Sequence, residues 1–314
     1  MKQAGHLVVL GAGSIGVSFS AVFRDAGFEV TICDPDTERS SAATQAIEAQ
    51  RAAMALAGLE RGGNGKLNVV GSLDSTVEKA DMVIEAGPER LEDKQAIFLD
   101  LLERASQDAI LATASSAIPM SRILPRPADQ ARCLVAHPVN PPAILRLIEL
   151  CPAPATSPQT MEKASLLFDR AGFRSVRLGH EIEGFVLNRL QGAVLREAYR
   201  LVDEGVVGAE DLDAVMRLGL GPRWALSGPF ETAELNTPGG IRAHAARMGP
   251  AYRAMGEGRG ETGCDWSTAL VSRVESERRA VVSEQALPKR AEWRVKAVAR
   301  LVAVRDKLLG EADV

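Results

Sequence analysis

Several features typical of other protein classes are missing from this 314-residue sequence. Its 37 Lys and Arg residues do not outnumber its 41 Asp and Glu residues, and the net charge of −4 excludes a strongly basic nucleic-acid-binding protein. No run of about 18 apolar residues predicts a membrane span. The apolar stretch near the amino terminus is too short for a signal peptide.

The sequence also lacks any C-x-x-C pair. The cysteines are Cys33, Cys133, Cys151 and Cys264. In a chain of this length, isolated cysteines are typical of reduced thiols in a cytoplasmic protein, and they predict neither a disulfide framework nor a metal site.

What is present is typical of a globular protein with two domains. Apolar residues make up 46% of the sequence and charged residues 25%, which are ordinary values for folded domains. A single hydrophobic core stops growing at about 250–300 residues. A chain of 314 residues therefore predicts two domains.

Strand-like and helix-like segments alternate in the first part of the chain. Short β-branched runs at His6–Leu10, Glu29–Cys33 and Met82–Glu85 are separated by segments of helical period, such as Ser14–Ala26 and Leu91–Ala105. This alternation predicts an α/β Rossmann-type fold, in which a doubly wound and mostly parallel sheet carries helices on both faces.

The pattern changes near residue 181, and we expect an all-α region from there to the carboxyl terminus. Residues 1–181 form the predicted Rossmann domain and residues 182–314 the helical domain. An apolar stripe over Gly184–Glu204 is wide enough for burial on more than one side. Gly256–Gly263 is expected to be an exposed loop, and Ala291–Leu309 a long helix.

A G-x-G-x-x-G motif follows the first predicted strand and opens the first helix, as a dinucleotide-binding loop requires. Its motif residues are Gly11, Gly13, Ser14, Ile15 and Gly16. The helix N-terminus offers N–H groups to a pyrophosphate. Asp34, after the second strand, suits ribose hydroxyls and would repel a 2′-phosphate; Arg39 is the nearest arginine along the chain. The carboxylate of Asp34 favours NAD over NADP. The alternative to a nucleotide site is a plain glycine turn in which Asp34 caps a helix.

His137 follows another predicted strand, at the end of the sheet where α/β proteins bind ligands. Glu149 lies 149 − 137 = 12 residues further on, among apolar neighbours, and needs a partner. An imidazole between a substrate hydroxyl and a carboxylate is the simplest base for oxidising an alcohol. Taken alone, each residue has a structural alternative, since histidines in proline-rich turns are more often structural.

Other polar residues sit where strands end or inside an apolar helix. Ser115 suits a helix cap as well as a substrate contact. Asn188 needs a hydrogen-bond partner that is either structural or functional. Glu85 and Glu89 flank a Gly-Pro turn, for which a solvated turn is the structural alternative.

Together these motifs resemble the 3-hydroxyacyl-CoA dehydrogenase family. The matching pieces lie in the family's order over residues 11–231: G-A-G-S-I-G, V-I-E-A-G-P-E-R-L-E-D-K, A-S-S, H-P-V-N-P, I-E-L, G-F-V-L-N-R-L and G-P-F-E. The resemblance implies NAD as cofactor, with His137 as general base and Glu149 as its partner. It also implies that Ser115 contacts the substrate oxygen and that Asn188 completes the pocket. Glu89 and Lys94 are implied to lie near the cofactor.

Within the family, the sequence resembles the lambda-crystallin and L-gulonate 3-dehydrogenase branch, through A-H-P-V-N-P-P and G-L-G-P-R-W-A-L-S-G-P-F-E. The resemblance implies a homodimer formed through the helical domain, which also binds substrate. Arg223 in this piece presents a fork that matches a substrate carboxylate, or else it is a surface or capping arginine.

Three functions remain in view from the sequence. The first is oxidation of a small 3-hydroxy acid such as L-gulonate, with a carnitine-like substrate also open. The second is a short-chain 3-hydroxyacyl-CoA dehydrogenase. The third is a crystallin-like structural protein without turnover, against which the His137 and Glu149 pair argues.

Overall fold

A computed structural model of the chain describes residues 5–73, 75–261 and 267–293, and beyond them residues 297, 301, 304 and 307. The chain forms two compact units, Met1–Val194 and Leu195–Val314. The first unit is α/β, and the second is helical in the part that is described. The predicted fold class, a Rossmann-type sheet followed by an all-α region, is confirmed.

The first unit contains one eight-stranded sheet in the order β3-β2-β1-β4-β5-β6-β7-β8. Strands β1 to β8 run over His6–Leu10, Glu29–Cys33, Leu67–Val70, Met82–Glu85, Ile110–Thr113, Cys133–Pro138, Leu147–Pro152 and Arg174–Arg177. β6 and β7 pair antiparallel, whereas the other neighbouring strands pair parallel.

This arrangement determines which residues meet at one edge of the sheet. β1, β2, β4, β5 and β6 point the same way, so the residues that follow Leu10, Cys33 and Glu85 gather at the edge where α/β proteins bind ligands. β7 turns back beside β6, and their register places His137 opposite Glu149.

Helices cover both faces of the sheet. In the first unit, helices α1 to α5 run over Ser14–Asp25, Thr37–Leu56, Leu91–Arg104, Met120–Ile123 and Pro158–Ala171. Two short 3-10 turns lie at Ser75–Lys79 and Pro127–Asp129. Helix α6, Leu187–Asp203, begins in the first unit and ends in the second.

Successive side chains of a strand point to opposite faces of the sheet, and here they belong to two separate apolar clusters. Val9 packs with Phe19 of α1 on one side, and Val8 packs with Phe98 of α3 on the other. Each of these phenylalanines is fully buried, which stabilises the fold by about 1.5–3 kcal/mol per side chain. The two clusters hold the strand ends rigidly, which is the condition for a precise site.

The second unit is built from helices of unequal length. They are α7 (Ala209–Ala214), a π-helical segment (Val215–Leu220), α8 (Gly221–Leu235), α9 (Gly240–Gly258) and α10 (Thr268–Val281). A 3-10 turn at Glu284–Ala286 precedes helical residues 287–293. Inside α8 the backbone breaks at Gly228, where φ is 58°, because the residue before Pro229 avoids the helical conformation and glycine tolerates positive φ.

Two sequence-based expectations for the helical region are corrected. The predicted loop Gly256–Gly263 is wrong at its start, because α9 continues through Gly258. No residue of α6 is buried in the single chain, and Tyr199 is 75% exposed, so the expected burial on several sides is not met within one copy. Cys264 and most of Ala291–Leu309 lie outside the described residues.

In the part of the chain that the structure describes, no helix combines the length and the apolar composition needed to cross a membrane.

Candidate active site

His137 and Glu149 form a buried hydrogen-bonded pair across β6 and β7. Glu149 Oε2 lies 2.8 Å from His137 Nδ1, and the residues are 2% and 3% exposed, respectively. The strand register produces this distance, because the two residues oppose each other directly in the antiparallel ladder. With Nδ1 engaged by the carboxylate, Nε2 is the ring nitrogen that can meet a substrate hydroxyl.

The second oxygen of Glu149 is held by the start of helix α6. Oε1 accepts hydrogen bonds from the backbone N–H groups of Val186 and Leu187, both at 3.0 Å. Burial acts to raise the pKa of Glu149, but the hydrogen bonds from His137, Leu187 and Val186 outweigh it and hold the pKa below its ordinary value of 4.5. Glu149 is therefore charged at neutral pH and can balance a positive imidazole.

Ser115 lies after β5, and its hydroxyl is engaged in hydrogen bonds within the protein. Its Oγ accepts a hydrogen bond from the N–H of Ile118 at 2.7 Å, in the turn that precedes α4. The same hydroxyl donates to Glu89 Oε1. Burial acts to raise the pKa of Glu89, but Ser115, the charge of Lys94 and the N–H of Ala117 hold it below its ordinary value.

Lys94 points into the protein and not into solvent. It is 1% exposed, and its Nζ lies 2.9 and 2.8 Å from the two carboxylate oxygens of Glu85, which is fully buried. Glu85 also accepts from Thr113 Oγ1 at 2.6 Å and from the N–H of Gly87 at 2.7 Å. The interpretation of Glu85 as part of a solvated turn is therefore wrong. Lys94 also contacts Glu89, with 3.3 Å between Nζ and Oε2.

Asn188 lies in the first turn of α6, close to the segment formed by Ser115 and Ser116, here called the serine segment. Its Nδ2 donates to the backbone carbonyl of Ser116 at 2.8 Å. The partner that the sequence required is thus a main-chain oxygen next to Ser115. The first unit therefore brings together His137, Glu149, Asn188 and the Ser115 segment through strand ends and one helix start.

The glycine loop has the shape that a dinucleotide requires. A Cβ on Gly16 would lie 1.9 Å from the carbonyl oxygen of Gly11, and Gly11 itself has φ of +109°, so both positions need glycine. A Cβ on Gly13 would meet nothing within 4 Å. The protein therefore does not occupy the space beside Gly13, where a pyrophosphate approaches the backbone in such loops, and the residues fit NAD.

Asp34 is tied to the glycine loop and to a cation. Its Oδ2 accepts from the N–H of Ala12 at 2.7 Å and its Oδ1 from the N–H of Asp36 at 2.9 Å. Arg39 Nε lies 3.3 Å from Asp34 Oδ2. Arg39, the nearest arginine along the chain, is therefore also close in space, because the first turn of α2 brings it back beside Asp34.

Arg223 is the predicted site residue that belongs to the second unit. It lines a cavity of about 420 Å³ together with Trp224, Phe230, His244 and Tyr252. An arginine beside aromatic rings can hold a carboxylate while the rings cover an adjacent carbon chain.

The sequence predicted neither the partner of Glu85 nor a role for Phe185. Glu85 carried a signal, because a carboxylate that ends the apolar strand Met82–Glu85 needs a cation, and Lys94 lies on the next helix. Phe185 carried none, since a phenylalanine beside a glycine in an apolar helical stretch looks like an ordinary core residue.

The comparisons with known proteins agree with this architecture. The family described as "3-hydroxyacyl-CoA dehydrogenase, NAD binding domain" matches residues 6–182, and its "C-terminal domain" matches residues 184–281. A lambda-crystallin homolog from Bos taurus is 37% identical over 312 residues, covering 97% of each chain. An L-carnitine dehydrogenase from Streptomyces coelicolor is 32% identical over 251 residues, covering 79% of each chain.

Solved structures show the same fold. A 3-hydroxyacyl-CoA dehydrogenase from Archaeoglobus fulgidus superposes with a TM-score of 0.73 at 23% identity, covering 96% of this chain and 99% of the other. The matched amino-terminal domain is the family's NAD-binding domain, so NAD is the cofactor. The chain thus belongs to the 3-hydroxyacyl-CoA dehydrogenase family and is an NAD-dependent oxidoreductase that acts on a CH–OH group.

Proposed function

We propose that the protein oxidises the 3-hydroxyl of a small 3-hydroxy acid, with L-gulonate as the leading substrate. The observation that carries this proposal is the buried His137 and Glu149 pair, with Nδ1 and Oε2 2.8 Å apart at the carboxyl end of β6. A carboxylate-oriented imidazole at that edge is suited to taking a proton from an alcohol.

In the proposed reaction, His137 Nε2 accepts the proton of the substrate 3-hydroxyl while the C–H bond of the carbinol carbon breaks. NAD, when bound on the glycine loop and Asp34, supplies the acceptor for the hydride that leaves this carbon. Glu149 fixes the imidazole and stabilises the positive charge that forms on it.

Ser115 and Asn188 are the proposed hydrogen-bond donors to the reacting oxygen. Both are engaged within the protein, Ser115 with Glu89 and Asn188 with the carbonyl of Ser116. Substrate binding would exchange these bonds for bonds to the substrate oxygen. Glu89 and Lys94 would then act beside the cofactor by holding the serine segment.

The proposed substrate class rests on Arg223 and on the relatives. A free 3-hydroxy acid has a carboxylate two carbons from the reacting centre, and a guanidinium can bind it through two hydrogen bonds. The carnitine dehydrogenase relative is named for a substrate that is a free 3-hydroxy acid as well. A CoA thioester has no such carboxylate, and it remains the second candidate because the family itself is named for 3-hydroxyacyl-CoA.

The test is NAD reduction with L-gulonate, carnitine, 3-hydroxybutyrate and 3-hydroxybutyryl-CoA. We expect turnover of a free hydroxy acid.

Arg223→Met should raise the KM for the free hydroxy acid at least several-fold and leave any activity on the thioester unchanged. Arg273→Met, at an exposed arginine of α10, should change neither. Efficient turnover of the thioester with L-gulonate inert would favour the second candidate. No turnover of any of the four would favour a crystallin-like role.

The proposal extends to organisation and location. Residues 1–181 would bind NAD, and residues 182–314 would bind substrate and form a homodimer. Apolar side chains exposed on α6 and just beyond it support the dimer; they are Leu190, Leu195, Tyr199, Val202 and Val206. Cys33, Cys133 and Cys151 are buried as thiols, which supports a cytoplasmic location. Tyr199→Glu should convert a dimer to a monomer in light scattering.

A further inference from the structure

Phe185 has an unusual backbone conformation for its residue type. Its φ is 50°, and among the described residues it is the only one other than glycine with positive φ. Gly184 before it also has positive φ, at 76°. In this region the Cβ of a phenylalanine clashes with the backbone, and glycine, which has no Cβ, avoids this clash. Such strain persists only where the surroundings fix it, and it is concentrated at functional sites.

The consequence of this turn is visible in the next two residues. It brings the N–H groups of Val186 and Leu187 onto Glu149 Oε1, each at 3.0 Å. The chain then continues directly into helix α6, with Leu190 N–H bonded to the carbonyl of Val186. The turn is further closed by the N–H of Phe185, which donates to the carbonyl of Ile182 at 3.2 Å.

The side chain of Phe185 contacts the other member of the pair. Its ring centroid lies 5.2 Å from that of the His137 imidazole, with 39° between the planes. Phe185 is fully buried and belongs to the apolar cluster that also contains Phe98 and Cys151. The ring therefore restricts rotation of the imidazole and keeps water from that face.

We propose that Phe185 is a positioning residue: its left-handed backbone directs two N–H groups to Glu149, and its ring fixes the plane of His137. It acts through the His137 and Glu149 pair, which it contacts through its ring and through the two N–H groups that follow it. The inference rests on the proposed role of His137 for its kinetic readout, whereas the hydrogen bond between His137 and Glu149 can be observed without turnover.

The experiment compares Phe185→Leu with Phe98→Leu. Both remove a buried ring from one apolar cluster, and only the first removes a contact with His137. We expect Phe185→Leu to lower kcat by about 10–100-fold, as a small misplacement of a reacting group does, with the KM for NAD unchanged. The pH profile of kcat should also shift. Phe98→Leu should lower thermal stability similarly and leave kcat and its pH profile unchanged.

A third variant separates the backbone from the ring. Phe185→Gly removes the steric cost at positive φ and also lacks the ring, and we expect its thermal stability to fall further than that of Phe185→Leu because the whole buried side chain is lost. We expect its kcat to stay low. A return of kcat to the original value would overturn the role of the ring.

Proton NMR of the imidazoles gives a readout that is independent of activity. The His137 ring proton bonded to Glu149 should appear far downfield, and its signal should broaden or move in Phe185→Leu and not in Phe98→Leu. If both variants retain this signal and the original pH profile, the positioning role is wrong. If the signal responds while kcat does not, the positioning holds and His137 is not the base, so the proposed function fails.

Discussion

Glu85 and Glu149 are two buried carboxylates of the same sheet, and they differ in the side chain that is hydrogen-bonded to them. Glu85, at the end of β4, is bonded by the ammonium of Lys94, at 2.8 Å from one of its oxygens. Glu149, on β7, is bonded by the imidazole of His137 at the same distance. A lysine ammonium is a permanent charge at neutral pH, whereas an imidazole can gain and lose a proton.

The rest of each environment reinforces the difference. Thr113 and Gly87 complete the bonds to Glu85, so the Glu85 and Lys94 pair is satisfied and closed. His137 retains Nε2 for an outside group. The comparison indicates that the same residue type, equally buried, fixes the loop between β4 and α3 in one place and prepares a base in the other.

Removal of the imidazole that pairs with Glu149 should have the largest effect on catalysis. His137→Ala should lower kcat by about 10²–10⁴-fold, the usual contribution of a general base. NADH affinity, measured by fluorescence titration, should stay near its original value because the glycine loop and Asp34 are untouched. A variant that keeps most of its activity would show that His137 is not the base.

Asp34 provides an intermediate case, a carboxylate that is buried and has an exposed cation. Arg39 lies 3.3 Å from it and its side chain is 57% exposed. Asp34→Ala should weaken NADH binding and reduce the preference for NADH over NADPH, since the carboxylate that repels a 2′-phosphate is lost. Arg39→Ala should widen that preference, since a cation that can offset the repulsion is removed.

Calorimetric titration with ADP-ribose and its 2′-phosphate measures both changes without turnover. The two substitutions should move the ratio of dissociation constants in opposite directions. A shift in the same direction for both would contradict the assignment of Arg39.

The smallest effect concerns stability at acid pH. The pKa of Glu149 in the folded protein lies below its ordinary 4.5, so the charged form stabilises the fold above that pH. This contribution is lost as pH falls through the lowered value. The difference in the free energy of unfolding between the protein and Glu149→Gln should therefore shrink in urea titrations below about pH 4.5. A difference that grows there would mean the pKa is raised.

Much of the sheet was predictable because its strands are short apolar runs with local signals. His6–Leu10, Glu29–Cys33 and Met82–Glu85 have the predicted bounds. Helix α9 continues through Gly249 and Pro250 to Gly258, which is where the expected loop Gly256–Gly263 is wrong. Glycine and proline are poor helix formers, so local propensity did not predict this continuation.

The site was predictable where it depends on chain order and less so where it depends on packing. The pairing of His137 with Glu149 follows from two strands that run antiparallel at a fixed register. The approach of Arg39 to Asp34 and the left-handed turn at Phe185 depend on how the first turns of α2 and α6 are set against the sheet. No local sequence pattern encodes these placements.

The most direct test measures Glu149→Gln and Glu85→Gln side by side, in kcat and in the free energy of unfolding at neutral pH. Glu149→Gln should lower kcat by about 10²–10⁴-fold, because an amide cannot balance a charged imidazole, with a small loss of stability. Glu85→Gln should lower stability by about 3–5 kcal/mol, because Lys94 loses its buried counter-charge, with a much smaller loss of kcat. Equal losses of kcat, or a large loss of stability for Glu149→Gln alone, would contradict the division of roles between the two carboxylates.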